Sequence, residues 1–168
     1  MNIREEIPND VSAIRALTKK AFEPMPFSNG AEPRIIDALR NNEQLSLSLV
    51  AVCENEIVGQ ITFSPVTING EHDSWFGLGP VSVCPDKQGQ GIGSALILHG
   101  LEAIKEVGAK GCVLIGDPNY YSRFGFENNS GLAYKGLDKQ FVQKLTFVAP
   151  QRDGELLYCT AFEEAAAT

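Results

Sequence analysis

The sequence predicts one mixed α+β domain in which helices flank a central, mostly antiparallel, twisted sheet of about six to seven strands. Its 168 residues have the length of a single domain, and no linker, repeat or shift of composition divides them. The hydrophobic pattern passes from helical spacing to the alternation typical of strands and back again. A glycine-rich segment lies where a strand leads into a helix. These three observations predict a sheet covered by helices, with a glycine loop between strand and helix.

Composition excludes several classes of partner. Lys and Arg number 14 against 21 Asp and Glu, a net charge of −7, whereas proteins that bind nucleic acids or anionic membranes need clustered cations. No apolar run approaches the ~18 residues of a membrane span, and no signal peptide is visible. The four cysteines are widely spaced, which indicates buried free thiols and not disulfides or zinc ligands. We therefore expect a cytoplasmic protein without a metal.

The first third of the chain predicts a strand and two helices. Residues Asn2–Ile7 alternate well enough for an edge strand. Asn9 or Asp10 is a suitable N-cap for the helix that follows. The apolar positions of this helix recur at helical spacing: Val11, Ile14, Leu17 and Ala21. Two prolines and a glycine between Phe22 and Gly30 end it. The apolar stripe of the second helix then appears: Ile35, Ile36 and Leu39.

The middle of the chain predicts an antiparallel hairpin and a further strand. Leu49–Cys53 and Ile57–Phe63 are two strand-like runs joined by the short polar turn Glu54–Glu56. The run Trp75–Cys84 predicts the third strand of this region. After the glycine loop, a helix is expected to extend to about Val107, with one apolar side packed on the sheet and the other in water.

The C-terminal third predicts two more strands. Gly111–Gly116 is short and apolar, as is typical of a strand buried on both faces. Asp117 and Pro118 then favour a brief helical turn through Arg123, with the aspartate as its N-cap. Leu156–Phe162 is expected to be the closing strand.

The glycine loop, Pro85–Gly93, is the most informative segment. A helix that begins directly after such a loop directs free backbone N–H groups and the positive end of its dipole at one point, which suits a phosphate. Glycines stand at alternate positions: Gly89, Gly91 and Gly93. The dinucleotide fingerprint fails because Ser94 and Leu96 stand where it needs glycine or alanine, and the Gly-Lys-Ser/Thr ending of nucleotide loops is missing. A plain tight turn remains the alternative interpretation.

Two motifs together resemble the GNAT superfamily of N-acetyltransferases. The segment Gln88–Gly93 matches its Gln/Arg-x-x-Gly-x-Gly/Ala signature. The segment Gly116–Phe126 contains a Tyr-x-x-x-Gly-Phe element, and its residues are similar to those of the YhbS-like branch. Many members carry Arg where this chain has Gln88, and Lys87 is a candidate to replace that charge. The resemblance extends over residues 2–126. It implies an acetyl-CoA-dependent N-acetyltransferase that transfers an acetyl group to a primary amine by direct attack on the thioester.

The resemblance also implies roles for individual residues. In the family the loop amides hold the pyrophosphate of coenzyme A, which here implicates Gln88, Gly89, Gln90, Gly91, Ile92, Gly93 and the adjacent Ser94. The preceding strand would bond the pantetheine arm as an extra strand through Val81, Ser82 and Val83. The N–H of Val81 would polarise the thioester carbonyl. Tyr121 is the expected general acid beside the coenzyme sulfur, with packing under the coenzyme as its alternative role.

The strand before the loop has an unusual composition. Gly77, Gly79 and Pro80 lie within it; proline cannot donate to a ladder, and glycine in a strand often marks a bulge. Such a defect would splay this strand from Gly111–Gly116 and open a slot between two parallel neighbours. Proline near a strand end is the simpler alternative.

The acceptor side is defined less well by the sequence. In similar proteins the corresponding segments border the acceptor side, which makes four residues candidates for the general base: Glu32, Glu71, His72 and Asp73. A solvated surface position is the alternative for each of them, and a relay through ordered water is equally open. The Phe22–Gly30 loop and the second helix are expected to form one wall of the acceptor pocket. Phe22, Met25 and Phe27 are expected to pin that loop to the core, with contact to the substrate as their alternative role.

The expected partner is therefore a small-molecule or protein amine, not nucleic acid or a membrane, and the protein is expected to act as a monomer or homodimer. A non-catalytic module that binds or senses acyl-CoA is the alternative function.

Overall fold

The structure is a computed structural model that describes residues 1–166. Its strands are β1 (Asn2–Glu5), β2 (Leu47–Cys53), β3 (Glu56–Pro65), β4 (Thr67–Ile68), β5 (Trp75–Val83), β6 (Gly111–Ile115), β7 (Leu132–Ala133), β8 (Val142–Thr146) and β9 (Gly154–Leu157). Its α-helices are α1 (Val11–Phe22), α2 (Glu32–Asn41), α3 (Ile92–Glu106), α4 (Pro118–Tyr121) and α5 (Thr160–Ala166). No helix within this described part is long and apolar enough to cross a bilayer.

Six strands form the central sheet, in the order β1-β2-β3-β5-β6-β8. Every neighbouring pair is antiparallel except β5 and β6, which run parallel. A second, smaller sheet has the order β4-β9-β7 and shares a buried apolar cluster with Val113 and Val142 of the central sheet. The predicted mixed fold, with a mostly antiparallel sheet and one parallel pair, is confirmed.

Helices cover both faces of the central sheet. Alternate residues of β2 contact opposite layers: Leu49 packs in the cluster that contains α3, whereas Val50 packs with Ile14 of α1 and Ile36 of α2. On the first face α3 approaches β3 so closely that a Cβ on Gly100 would overlap the ring of Phe63. This close contact holds the middle of α3 against the sheet.

The predicted helices and hairpin of the N-terminal half are confirmed, with one exception at a helix cap. Glu54 and Asn55 both have positive φ, as a two-residue hairpin turn requires. Asp10, however, does not cap α1 with its side chain. Its carboxylate accepts hydrogen bonds from Arg4 at 2.7 Å and from the Ile7 amide at 2.8 Å. The prediction of an Asp10 cap was therefore wrong, because a cation on β1 and the preceding turn hold the carboxylate instead.

The prediction of a closing strand over Leu156–Phe162 was wrong in extent and in position. The strand β9 ends at Leu157 and pairs with β4 and β7 in the smaller sheet. From Thr160 the chain is helical, in agreement with the high helix propensity of its Ala and Glu residues.

The sixth strand of the central sheet, β8, carries buried polar residues that hide it in the sequence. Gln143 is fully buried, and its side-chain amide donates to the Gly116 carbonyl at 2.9 Å. Lys144 is 2% exposed, and its ammonium donates to the Arg152 carbonyl and to Asp153 at 2.7 and 2.8 Å. Partners in other segments make it possible to bury these polar side chains. The strand therefore lacks the apolar pattern by which a buried strand is predicted.

Candidate active site

The parallel strands β5 and β6 separate after a short stretch of pairing. They pair only where Trp75–Gly77 lies beside Gly111–Val113. On the other edge of β5, Gly79 and Pro80 together face the single residue Thr62 of β3, which makes a β-bulge. Gly79 has a φ of +130°, a conformation that favours glycine. The bulge bends β5 away from β6, as its glycines and proline predicted, and a slot opens between the two strands.

Beyond the bulge, β5 presents backbone groups to this slot. The Cys84 amide donates to the Val58 carbonyl of β3 at 2.8 Å. Since backbone bonding alternates along an antiparallel pair, Ser82 bonds to β3, while Val81 and Val83 direct their N–H and C=O groups to the opposite edge. The Gln88 side-chain amide accordingly donates to the Val83 carbonyl at 3.2 Å. The slot therefore offers the free edge of a strand.

The glycine loop and the start of α3 form a cleft of about 540 Å³ beside this edge, here called the loop cleft. Eight of the predicted coenzyme-binding residues line it: Val81, Val83, Gln88, Gly89, Gly91, Ile92, Gly93 and Ser94. Ser82 and Gln90 do not line it, because the Ser82 side chain is buried within the sheet and Gln90 is exposed outside the cleft.

Backbone conformation makes the loop cleft suitable for an anion. Gly89 and Gly91 have φ values of +81° and +85°, which an L side chain would strain. The first hydrogen bond at the start of α3 runs from the Ala95 amide to the Gly91 carbonyl at 3.0 Å. The amides of residues 92–94 therefore precede the helical ladder and are free to bind a phosphate.

Two cations, Lys87 and Arg123, line the loop cleft. The Arg123 guanidinium lies 4.5 Å above the ring of Tyr120, and its Nε donates to the Tyr120 carbonyl at 2.8 Å. Sequence reasoning missed Arg123, although its place in the Tyr-Tyr-x-Arg segment was the available signal. With Gln88 bonded to the backbone, these two side chains supply the positive charge of the cleft.

A second cleft, of about 920 Å³, adjoins the loop cleft and is here called the acceptor cleft. The two clefts meet at residues that line both, namely Met25, Val81 and Tyr120. Tyr121 lines the acceptor cleft, and its ring lies so close to Gly116 that a Cβ there would be 2.7 Å from it. Burial raises the pKa of Tyr121 to about 12, with smaller contributions from Tyr120 and Asp117. The phenol is therefore protonated at neutral pH and can donate a proton.

The four candidate bases lie in different parts of the structure. Glu32 lines the acceptor cleft, where its Oε1 accepts from the Ser28 hydroxyl at 2.6 Å. Asp73 is paired with Lys110 and Arg152, and Glu71 also with Arg152. The remaining candidate, His72, lies 3.0 Å from the Val66 carbonyl through its Nδ1. Neither cleft is lined by these last three residues.

The loop after α1 forms a wall of the acceptor cleft, as expected. Phe22 and Met25 are half-buried there. Phe27 also lines the cleft but is 77% exposed. The expectation that Phe27 pins the loop to the core was therefore wrong, because its ring is left in solvent at the mouth of the cleft. The acceptor cleft also contains aromatic residues from the C-terminal third that sequence reasoning missed: Tyr134, Phe141, Tyr158 and Phe162.

Comparison with known proteins decides the family. Residues 2–128 match the acetyltransferase (GNAT) domain family. The chain belongs to the GNAT acetyltransferase family. The matched region contains the bulged strand β5, the glycine loop and Tyr121, so the resemblance carried by the two motifs is confirmed.

Several GNAT relatives align over most of the chain. The uncharacterized N-acetyltransferase YhbS of Escherichia coli K12 is 41% identical over 128 residues, which cover 76% of this chain and 74% of that protein. The uncharacterized N-acetyltransferase YjhQ of the same strain is 36% identical over 127 residues, covering 73% of this chain and 67% of that protein.

Two solved GNAT structures each cover 96% of this chain. A GNAT family acetyltransferase from Brucella melitensis in complex with acetyl-CoA is 45% identical, with a TM-score of 0.87 over 97% of that chain. YhbS from Escherichia coli in complex with CoA is 32% identical, with a TM-score of 0.88 over 91% of that chain. The GNAT fold is thus confirmed along nearly the whole chain.

Proposed function

We propose that this GNAT protein transfers the acetyl group of acetyl-CoA to a primary amine, which attacks the thioester directly. The observation that carries the proposal is the slot between β5 and β6, where the loop cleft and the acceptor cleft meet beside Val81 and Tyr120. The complexes of two GNAT relatives with acetyl-CoA and CoA support coenzyme A as the acyl carrier.

Three features of the loop cleft fit coenzyme A. The amides of residues 92–94 and the left-handed glycines suit its pyrophosphate. Lys87 and Arg123 offset its negative charge. The outward backbone groups of Val81 and Val83 can pair with the amides of the pantetheine arm, which would then extend the sheet by one strand. This arm would lead from the loop cleft through the slot to the acceptor cleft.

The residues beside the slot have the properties that acetyl transfer needs. Acetyl-CoA, when bound, supplies the thioester carbon to which the amine nitrogen bonds while the C–S bond breaks. The Val81 N–H is directed into the slot and can stabilise the developing oxyanion. Tyr121 keeps its proton because its pKa is about 12, and it can donate that proton to the leaving sulfur. Glu32 can accept a proton from the incoming ammonium, directly or through water.

Calorimetry with acetyl-CoA and a thiol-release assay with a panel of amines test this function. We expect acetyl-CoA to bind and free CoA thiol to appear only when an amine is present. Binding without amine-dependent release across the panel would instead indicate a non-catalytic acyl-CoA sensor. Absence of binding heat with acetyl-CoA would contradict both functions.

A further inference from the structure

The acceptor cleft has walls that are mainly aromatic and apolar. Eight of its nineteen lining residues are aromatic: Phe22, Phe27, Tyr120, Tyr121, Tyr134, Phe141, Tyr158 and Phe162. They come from separate segments of the chain, and thus the fold assembles them into one cavity. Its volume of about 920 Å³ lies within the range of small-molecule pockets, which is roughly 300–1,000 Å³.

The ionisable groups of this cleft are of one sign. Besides tyrosines, the ionisable residues among its described lining are two carboxylates, Glu32 and Asp117, and that lining holds no Lys, Arg or His. Lys135, next to the lining residue Tyr134, is itself paired with Glu163. An ammonium ion would meet carboxylates and aromatic faces in the cleft, which both favour a cation. A carboxylate or phosphate on the acceptor would meet no cationic side chain among this described lining.

The mouth of the cleft is also apolar. Phe27, Leu137 and Phe141 line it and are 77%, 43% and 40% exposed. Exposed apolar side chains grouped at a cavity are typical of a ligand-binding groove. A polyamine, in contrast, would need several carboxylates spaced along the cleft, one for each of its ammonium groups. The described lining provides two, Glu32 and Asp117.

From these three features we infer that the acceptor is a small primary amine with an aromatic body and no anionic group. The inference rests on the proposed function, since it names the class of amine that the same site accepts. Glu32 and the aromatic faces bind the ammonium end, and the apolar walls bind the body.

Matched ligands test the inference by calorimetry on the CoA-saturated protein. Phenylalanine differs from 2-phenylethylamine by its α-carboxylate, butylamine lacks the ring, and spermidine adds further charges. We expect 2-phenylethylamine to bind at least about tenfold more tightly than each of the other three. Equal or tighter binding of phenylalanine, butylamine or spermidine would overturn the inference. So would absence of measurable binding of 2-phenylethylamine at about 10 mM.

A pair of variants locates the ammonium site. Glu32→Gln should weaken the binding of 2-phenylethylamine about tenfold, the scale of one charge-assisted hydrogen bond, and should leave CoA binding unchanged. The glutamine can still accept from Ser28, so the loop keeps that contact. Glu106→Gln, on the exposed face at the far end of α3, is the control and should change neither affinity. An unchanged affinity in Glu32→Gln would remove Glu32 from the site.

Turnover of the same amines is measured separately by thiol release. Binding in the expected order without turnover of any amine would contradict the proposed function, but would still support an aromatic amine as the ligand of the acceptor cleft. Rapid acetylation of spermidine or phenylalanine, with poor acetylation of 2-phenylethylamine, would support the proposed function and overturn the inference.

Discussion

The guanidinium of Arg123 lies 4.5 Å above the ring of Tyr120 and also bonds the carbonyl of that residue. Tyr120 lines both clefts, and its hydroxyl is 3.5 Å from the Ser94 hydroxyl at the start of α3. The cation is thereby held at the wall of the loop cleft by two contacts with one residue. Its position is set before any ligand binds, which reduces the entropic cost of binding a phosphate.

This placement predicts a selective loss of coenzyme affinity. Arg123→Gln should weaken acetyl-CoA binding about tenfold, because a charge-assisted contact to phosphate is lost. The dependence of affinity on salt should also become weaker. Calorimetry at two ionic strengths measures both effects. Lys20→Gln, on the exposed face of α1, is the control, and an equal loss in that variant would mean that general charge and not position matters.

Adjacent tyrosines are expected to have different roles. Tyr121→Phe should lower kcat about 100-fold through loss of the proton donor and should leave the Kd of acetyl-CoA unchanged. The Tyr120 hydroxyl lies beside that of Ser94, so Tyr120→Phe should change coenzyme affinity more than kcat. Steady-state kinetics and calorimetry on both variants separate the roles. The reverse pattern would show that Tyr120 is the acid.

The pKa of Tyr121 also predicts a pH dependence. Burial raises this pKa from 10.0 in the unfolded chain to about 12, so the native state binds the proton more tightly. The stabilisation is complete below pH 10, and it is lost as pH rises through the native pKa. Urea denaturation between pH 8 and 11 should show a steeper loss of stability in the wild type than in Tyr121→Phe. Parallel curves would contradict the raised pKa.

The left-handed glycine at the start of α3 provides a test of loop geometry. A Cβ at Gly91 would meet no atom within 4 Å, but φ is +85°. Gly91→Ala should therefore cost about 1 kcal/mol in stability and should weaken acetyl-CoA binding by shifting the loop amides. Gly108→Ala is the matched control, since φ there is +94° with open space around it. It should lose similar stability and keep its affinity for acetyl-CoA.

The Arg4–Asp10 ion pair predicts sensitivity to acid. Hydrogen bonding to Arg4 lowers the pKa of Asp10 below its ordinary value of 3.8. The pair therefore stabilises the native state above that value, and the stabilisation is lost as pH falls through the native pKa. Asp10→Asn should cost about 2 kcal/mol at pH 7. This difference from wild type should shrink toward pH 2, as measured by urea denaturation; a constant difference would exclude a role for the charge.

The structure explains why local elements were predictable and several contacts were not. The hairpin turn at Glu54 and Asn55, the glycine loop and the Asp117 cap depend on residues adjacent in sequence, and each lies where its pattern predicted. The strand β8 was not predicted, because its buried Lys144 is neutralised by Asp153, which lies nine residues further along the chain. Asp10 was assigned a local role, but Arg4 on a neighbouring element holds it.

The order of the two motifs was sufficient to indicate the GNAT family and the side of β5 on which coenzyme A is expected. Tertiary structure alone placed Glu32 at the acceptor cleft and held Glu71 and Asp73 in ion pairs away from it. It also placed Arg123 at the loop cleft and gathered aromatic side chains from distant segments around one cavity. Backbone conformation follows from neighbouring residues, whereas the walls of a cavity depend on how separate elements pack, and no local pattern encodes that packing.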